Sequence, residues 1–195
     1  MKTFFSMLFL VIFVISASAQ EETLISGPIE SGGYGAPVAK FGQIKGQTGI
    51  FVGGQGGWII NHAFVIGGGG YSLVNDIKAT TDDLGRVLYL DFSYGGLLME
   101  YIIASQKLVH FSIHSLIGVG HVNYRLKDYD DSDYYGSDRF FVLEPGANLM
   151  LNLHKNIRIG VGATYRYVSD VDYGELSNSD LRGVTAQLIL KFGSF

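Results

Sequence analysis

Residues 157–167 alternate without a break. Ile157, Ile159, Val161, Ala163, Tyr165 and Tyr167 occupy one parity, and Arg158, Gly160, Gly162, Thr164 and Arg166 the other. A β-strand sends successive side chains to opposite faces, so this strand has one wholly apolar or aromatic face and one face of small or charged groups. The preceding stretch repeats the pattern, with Phe141, Leu143, Ala147, Leu149, Leu151 and Leu153 set against Glu144, Gly146, Asn148 and Asn152. With His154, Lys155 and Asn156 as the connection, the two form a hairpin. Leu153 then faces Ile157, Leu151 faces Ile159, Leu149 faces Val161, Ala147 faces Ala163 and Leu143 faces Tyr167. On the other face Asn152 meets Arg158 and Glu144 meets Arg166. Apolar groups meet apolar groups and an acid meets a base, as directly opposed residues should. The expectation is a Glu144–Arg166 pair, unless Pro145 introduces a bulge that shifts the register.

The same alternation recurs along the chain. Residues 34–44 read as a first strand, followed by the turn Lys45-Gly46-Gln47. A second strand, 48–60, puts Ile50, Val52, Trp58 and Ile60 on one face and Gln55 on the other; Asn61-His62-Ala63 then turns into a third, 64–73. After the polar loop 74–86 comes a long strand, 87–103. There Leu90, Phe92 and Tyr94 differ in parity from Leu97, Met99, Tyr101 and Ile103, which predicts a bulge near Gly95-Gly96. Residues 109–124 form a fifth strand. The loop 125–138, the hairpin already described, the loop 169–181 and a last strand complete eight. Connections near 61, 106 and 155 are short, and those near 80, 131 and 175 are long, with the first turn as the exception. An up-and-down, antiparallel, eight-stranded transmembrane β-barrel with both termini at the short-turn, periplasmic end has this rhythm.

Composition separates that reading from a soluble eight-stranded barrel of the lipocalin kind. A soluble barrel faces water with Lys and Glu, whereas charged residues here are 16%, against roughly 25% in soluble domains. The polar face is mostly Gly, Ser, Thr, Asn and Gln. The apolar face ends in Trp58, Tyr101, Tyr165, Tyr167 and Phe192, as interfacial aromatic girdles do. Residues 1–19 read as a secretory signal, with Lys2, an apolar run and Ala17-Ser18-Ala19 before the cut. An uncleaved anchor is the alternative. Residues 20–33 follow as a flexible periplasmic leader, and the barrel spans 34–195. Acidic residues outnumber basic ones, 18 to 14, which argues against nucleic-acid binding. The absence of Cys excludes disulfide and thiol chemistry.

Two stretches, Gly49–Tyr71 (GIFVGGQGGWIINHAFVIGGGGY) and FVLEPGANLMLNLHKNIRIGVGATYRYVSD, resemble the small eight-stranded outer-membrane barrel proteins common in Bacteroidota, the outer membrane protein beta-barrel family. The resemblance implies a Gram-negative cell outer membrane, contact with outer-membrane lipid and lipopolysaccharide, and a monomer. Members commonly end in an aromatic residue. Phe195 does so, although it lies off the register of Val184, Ala186, Leu188, Leu190 and Phe192.

Eight strands leave an interior that side chains can fill. Glu144, Arg158, Arg166, Lys191, Glu100 and His110 are therefore expected to plug the lumen as ion pairs and hydrogen bonds. The role then rests on envelope structure or on loops 74–86, 125–138 and 169–181, which could hold an extracellular ligand. A narrow, porin-like conduit for small solutes is the first alternative. A second comes from eight-stranded outer-membrane lipid A deacylases, which use a lipid-facing His, Ser and acid. His110-Phe111-Ser112 has a His-x-Ser spacing, but its parity is lumenal and no carboxylate is placed to orient the imidazole. No enzymatic activity, catalytic residue or cofactor is expected. The glycine runs 53–57 and 67–70 lack the Lys-Ser/Thr of a phosphate loop. Asp128, Asp130, Asp131 and Asp133 resemble the start of a calcium loop without its closing Glu. They suggest weak cation contact and no bound metal.

Overall fold

The computed structural model describes residues 28–126 and 136–195. The proposed signal, and the acidic group Asp128, Asp130, Asp131 and Asp133, lie outside the described residues. The wall is built from β1 (Ser31–Ile44), β2 (Gln47–Ile60), β3 (Phe64–Leu73), β5 (Val87–Ile103), β6 (Val109–Arg125), β7 (Asp138–His154), β8 (Ile157–Ser169) and β9 (Gly183–Ser194). All pair antiparallel with their neighbours, and the β1–β9 and β3–β5 pairings complete the circuit. The result is a closed, eight-stranded antiparallel barrel. A short β4 (Lys78–Thr81) adds to β5 within loop 74–86, and a single helical turn, α1 (Asn178–Leu181), sits in the last loop. The wall begins three residues earlier than the sequence pattern suggests, because Ser31, Gly32 and Gly33 pair with Ile60, Ile59 and Trp58.

Alternation sorts the two faces. Val52, Ile66, Leu97, Ile113, Leu149, Val161 and Leu188 are exposed around the outside. Trp58, Phe64, Tyr101, Phe111 and Phe192 project outward near the short turns, and Phe41, Phe141, Tyr165 and Tyr167 near the long loops. Among the described residues no helix is long and apolar enough to cross a membrane. The outer face of the barrel has the apolar band and flanking aromatics that a strand-built span requires.

The hairpin register matches the expected one over most of its length, with Leu143 opposite Tyr167, Ala147 opposite Ala163 and Asn152 opposite Arg158. Two details differ. The register is unchanged on both sides of Pro145, so no bulge forms there; the ring only removes a ladder donor. The irregularity lies instead between Asn152 and His154, so His154, not Leu153, pairs with Ile157, and the turn is Lys155-Asn156.

The expected bulge at Gly95-Gly96 is also absent. The β5 register against β3 and β6 is continuous through both glycines. Leu90, Phe92 and Tyr94 are buried and face inward, while Leu97, Met99, Tyr101 and Ile103 face outward. The parity change therefore records a change in what fills the barrel. Toward the long loops the interior is apolar and aromatic: Phe51, Phe92 and Phe140 pack with centroids 5.0 and 6.0 Å apart.

Inward glycines make room for those rings. A Cβ on Gly120 would run into the Phe140 ring, and one on Gly160 into the Met150 sulfur. Outward Gly68 has its nearest neighbour at 3.4 Å, an ordinary contact. Gly120→Val is accordingly predicted to destabilise the barrel by about 1–3 kcal/mol through overpacking, while Gly68→Ala is tolerated. The folded fraction, read from the mobility difference between boiled and unboiled samples on gels, checks both.

Candidate functional site: the lumen

Inward positions are fixed by parity on each strand. They are even on β1, β5, β6, β7 and β8 and odd on β9, which aims Lys40, Glu100, His110, Glu144, Arg158, Arg166 and Lys191 at one axis. All seven are buried. They do not form one cluster. They separate into two ion pairs, with Arg158 and His110 toward the short-turn end and Arg166 toward the long-loop end.

Near the short turns, Lys191 Nζ donates to both oxygens of Glu100, at 2.6 and 2.7 Å. Tyr34 Oη donates to Glu100 Oε2 at 2.7 Å, and its ring lies 4.2 Å below the Lys191 ammonium. From there a chain runs upward: Gln55 Nε2 donates to Tyr34 Oη at 3.1 Å, and Tyr71 Oη to Gln55 Oε1 at 2.7 Å. His110 is buried, and its Nδ1 has no hydrogen-bond partner among the described residues. Arg158 rests on the Phe195 ring, 3.9 Å from its centroid, and Phe195 also stacks on Tyr34 at 6.3 Å. That contact explains why Phe195 departs from the register of the outer face: it turns into the mouth of the lumen, leaving Phe192 toward lipid.

Farther up, Glu144 pairs with Lys40, Nζ to Oε1 at 2.7 Å, and accepts from Thr164 Oγ1 at 2.5 Å. Lys40 also donates to Tyr94 Oη at 3.4 Å and lies 3.4 Å over the Tyr71 ring. The expected Glu144–Arg166 pair is therefore not formed, although the unshifted register sets the two residues opposite one another. Arg166 is drawn upward instead. It donates from Nε to Leu181 O at 2.8 Å and from Nη2 to Gln43 O at 3.2 Å. Its guanidinium packs over Phe51, Phe92 and Tyr94, at 4.5, 5.2 and 5.9 Å, a cation on aromatic faces. It thereby ties α1 to the wall. The α1 turn is held by Asp180, whose Oδ2 accepts from the backbone and hydroxyl of Ser177 at 2.9 and 2.7 Å. The backbone bond first, and the hydroxyl bond next, hold its carboxyl below the usual range.

Between the pairs lies a neutral layer. Gln187 Nε2 donates to Asn148 Oδ1 at 2.5 Å, and Asn148 Nδ2 donates to Ser112 Oγ at 3.3 Å and approaches His114 Nδ1 at 3.2 Å. His110 and Ser112, the His-x-Ser pair, are thus inside the barrel, with Ser112 bonded to Asn148. Lys40, Tyr34 and Tyr71 were not among the expected lumenal residues, whereas Gln55 lies on the inner face as expected. The signal for Lys40 was available, since it shares parity with Tyr34, Ala36 and Val38 in the first strand. Among the described residues no group of His, Asp and Glu could hold a metal ion.

A family model described as "Outer membrane protein beta-barrel domain" matches residues 7–192. The chain belongs to that family. Its fold and family place it in the outer membrane. Among solved structures it is similar to Neisserial surface protein A, at TM-score 0.58 and 11% identity, covering 85% of this chain and 99% of that one. It is also similar to Ail, the attachment invasion locus protein of Yersinia pestis, at TM-score 0.49 and 15% identity, covering 84% and 97%. No curated protein matches it in sequence. At such identities the structural likeness concerns the fold.

The two ion pairs generate a double-mutant prediction. Glu144→Gln strands the Lys40 ammonium in a poorly hydrated interior, at a cost of about 3–5 kcal/mol for a broken buried pair. Glu144→Leu combined with Lys40→Met costs much less than the sum of the two single changes. The combination of Glu144→Leu with Arg166→Met approaches additivity. Denaturant unfolding of the refolded barrel in lipid vesicles measures all of these differences.

Proposed function

We propose that this outer-membrane barrel is closed along its axis and serves the envelope structurally or through its surface loops. The observation that carries this reading is the sequence of layers in the lumen. The Lys191–Glu100 pair, the Asn148–Gln187 layer, the Lys40–Glu144 pair and the Phe51–Phe92–Phe140 stack succeed one another across an eight-stranded interior. Each of the two pairs joins side chains from strands that are not neighbours, β9 with β5 and β1 with β7, so each bridges the lumen.

In this reading the chain is exported under a signal over residues 1–19, in keeping with a Bacteroidota member of the family, and works as a monomer. Its outer face meets membrane lipid and lipopolysaccharide. Loops 74–86, 125–138 and 169–181 lie outside the cell and are the surface for an extracellular ligand. Both long loops that are described throughout have internal order that supports such a surface: β4 with the Arg86–Asp82 pair at 2.7 Å, and α1 with its Ser177 cap. No catalysis is part of the proposal, since His110 and Ser112 do not reach lipid. A narrow channel is the competing reading. It would require the ion pairs to open.

Two measurements test this. Reconstituted into planar bilayers, the wild-type protein is expected to show no sustained conductance; steady wild-type conductance would favour the channel. For sidedness, the native chain has no Cys. A Cys at Asp83 should be labelled on intact cells by an impermeant reagent, and one at Lys155 should be protected. The reverse pattern would invert the orientation.

A further inference from the structure

The short-turn end of the barrel opens on a cavity of about 510 Å³. Its lining includes His62, His154, Lys155, Arg158, Gln106 and Asn152, and no Asp or Glu. His62 is engaged at the rim by Glu30, Nε2 to Oε2 at 2.5 Å. Arg158 is different. It is 7% exposed, and it forms no ion pair or hydrogen bond with the described residues. The carboxylate whose charge it feels is Glu100. That group is already bonded through both oxygens by Lys191 and through one by Tyr34. Lys191 stands directly opposite Arg158 in the β8–β9 register, so this end of the lumen holds two buried cations and one fully engaged anion. One side of the Arg158 guanidinium is covered by the Phe195 ring, and the residue reaches the cavity.

A guanidinium carries five N–H donors in a planar fork that matches a carboxylate or phosphate. A buried charge without a counter-charge is costly. We propose that the short-turn mouth is an oxyanion-binding site, in which Arg158 takes two oxygens of a phosphate or carboxylate group and Lys155, at the rim, attracts and neutralises it. Gln106 provides a further polar contact at the wall of the cavity, whereas the Asn152 amide already donates to the Ser105 and Lys107 carbonyls. In the orientation proposed above this mouth faces the periplasm, so the ligand would be a small periplasmic anion. Binding itself does not depend on that orientation, because both ends are accessible in detergent micelles.

The test is calorimetric titration of the full chain, refolded in zwitterionic micelles in an anion-poor buffer at neutral pH, with inorganic phosphate and with succinate. Saturable binding of at least one anion is expected. Arg158→Gln should weaken it by about tenfold or more, and Lys155→Gln by a few-fold, as befits a bidentate contact and a rim charge. Lys45→Gln, at the opposite end, should leave it unchanged. Folding of each variant is checked by gel mobility before and after boiling. Should Arg158→Gln fail to fold, Lys155→Glu on the exposed turn replaces it and is also expected to weaken binding about tenfold. Saturable binding that these substitutions weaken supports the site. Absence of binding by both anions, or equal affinity in the wild type and the Lys155→Glu protein, overturns it.

Discussion

A strand in hydrocarbon has nowhere to place an unpaired amide or carbonyl, and the rest of this structure follows from that constraint. The wall must close, and it does so through the β1–β9 and β3–β5 ladders. Closure with eight strands fixes a narrow bore. The outer parity must be apolar across the membrane band, so the buried charges, and much that hydrocarbon would accept, are sent inside. The interior then becomes a packing problem. Inward glycines such as Gly120 and Gly160 yield space to Phe140 and Met150, and charges must find partners across the bore because water cannot serve them all.

The partners are chosen by reach, not by adjacency in the sheet. Glu144 and Arg166 oppose each other in the ladder, yet Glu144 bonds Lys40 from β1. A lysine's flexible stem crosses a narrow lumen with its charge at the tip, whereas Arg166 has a better set of neighbours above it in the Leu181 and Gln43 carbonyls and three aromatic rings. The consequence is a division of labour along the axis. Lys40 and Lys191 neutralise the two buried carboxylates, Arg166 fastens the last long loop, and Arg158 is left facing the cavity at the short-turn mouth.

Much of the fold was legible because a period of two leaves few choices. Faces, hairpins and the positions of the long loops follow from parity and turn residues, and the β7–β8 register could be written down from its apolar and polar matches. What parity cannot convey is which inward residues meet across the bore. That depends on the shear of the closed barrel, and so Glu144 was matched to Arg166 and not to Lys40, although the inward parity of Lys40 itself was readable. The inference of a bulge at Gly95-Gly96 failed for a related reason. It assumed that Leu90, Phe92 and Tyr94 must face lipid, whereas a barrel too narrow for water can hold an aromatic core at one end and ion pairs toward the other. Phe195 shows the same limit: its odd number puts it on the inward parity of β9, but its contact with Arg158 and Tyr34 across the mouth has no signature in the strand pattern.

The central claim is that a lysine–carboxylate bridge spans the lumen between strands that are not neighbours. Solid-state NMR in lipid bilayers can measure it directly, through the dipolar coupling between 15N at Lys40 Nζ and 13C at the Glu144 carboxylate. Direct hydrogen bonding at the 2.7 Å Nζ–Oε1 separation predicts a strong coupling there and a weak one between Glu144 and the Arg166 guanidinium. A strong Glu144–Arg166 coupling with none to Lys40 would contradict the account, since the carboxylate would then be paired along the wall and the bore would lack its upper bridge.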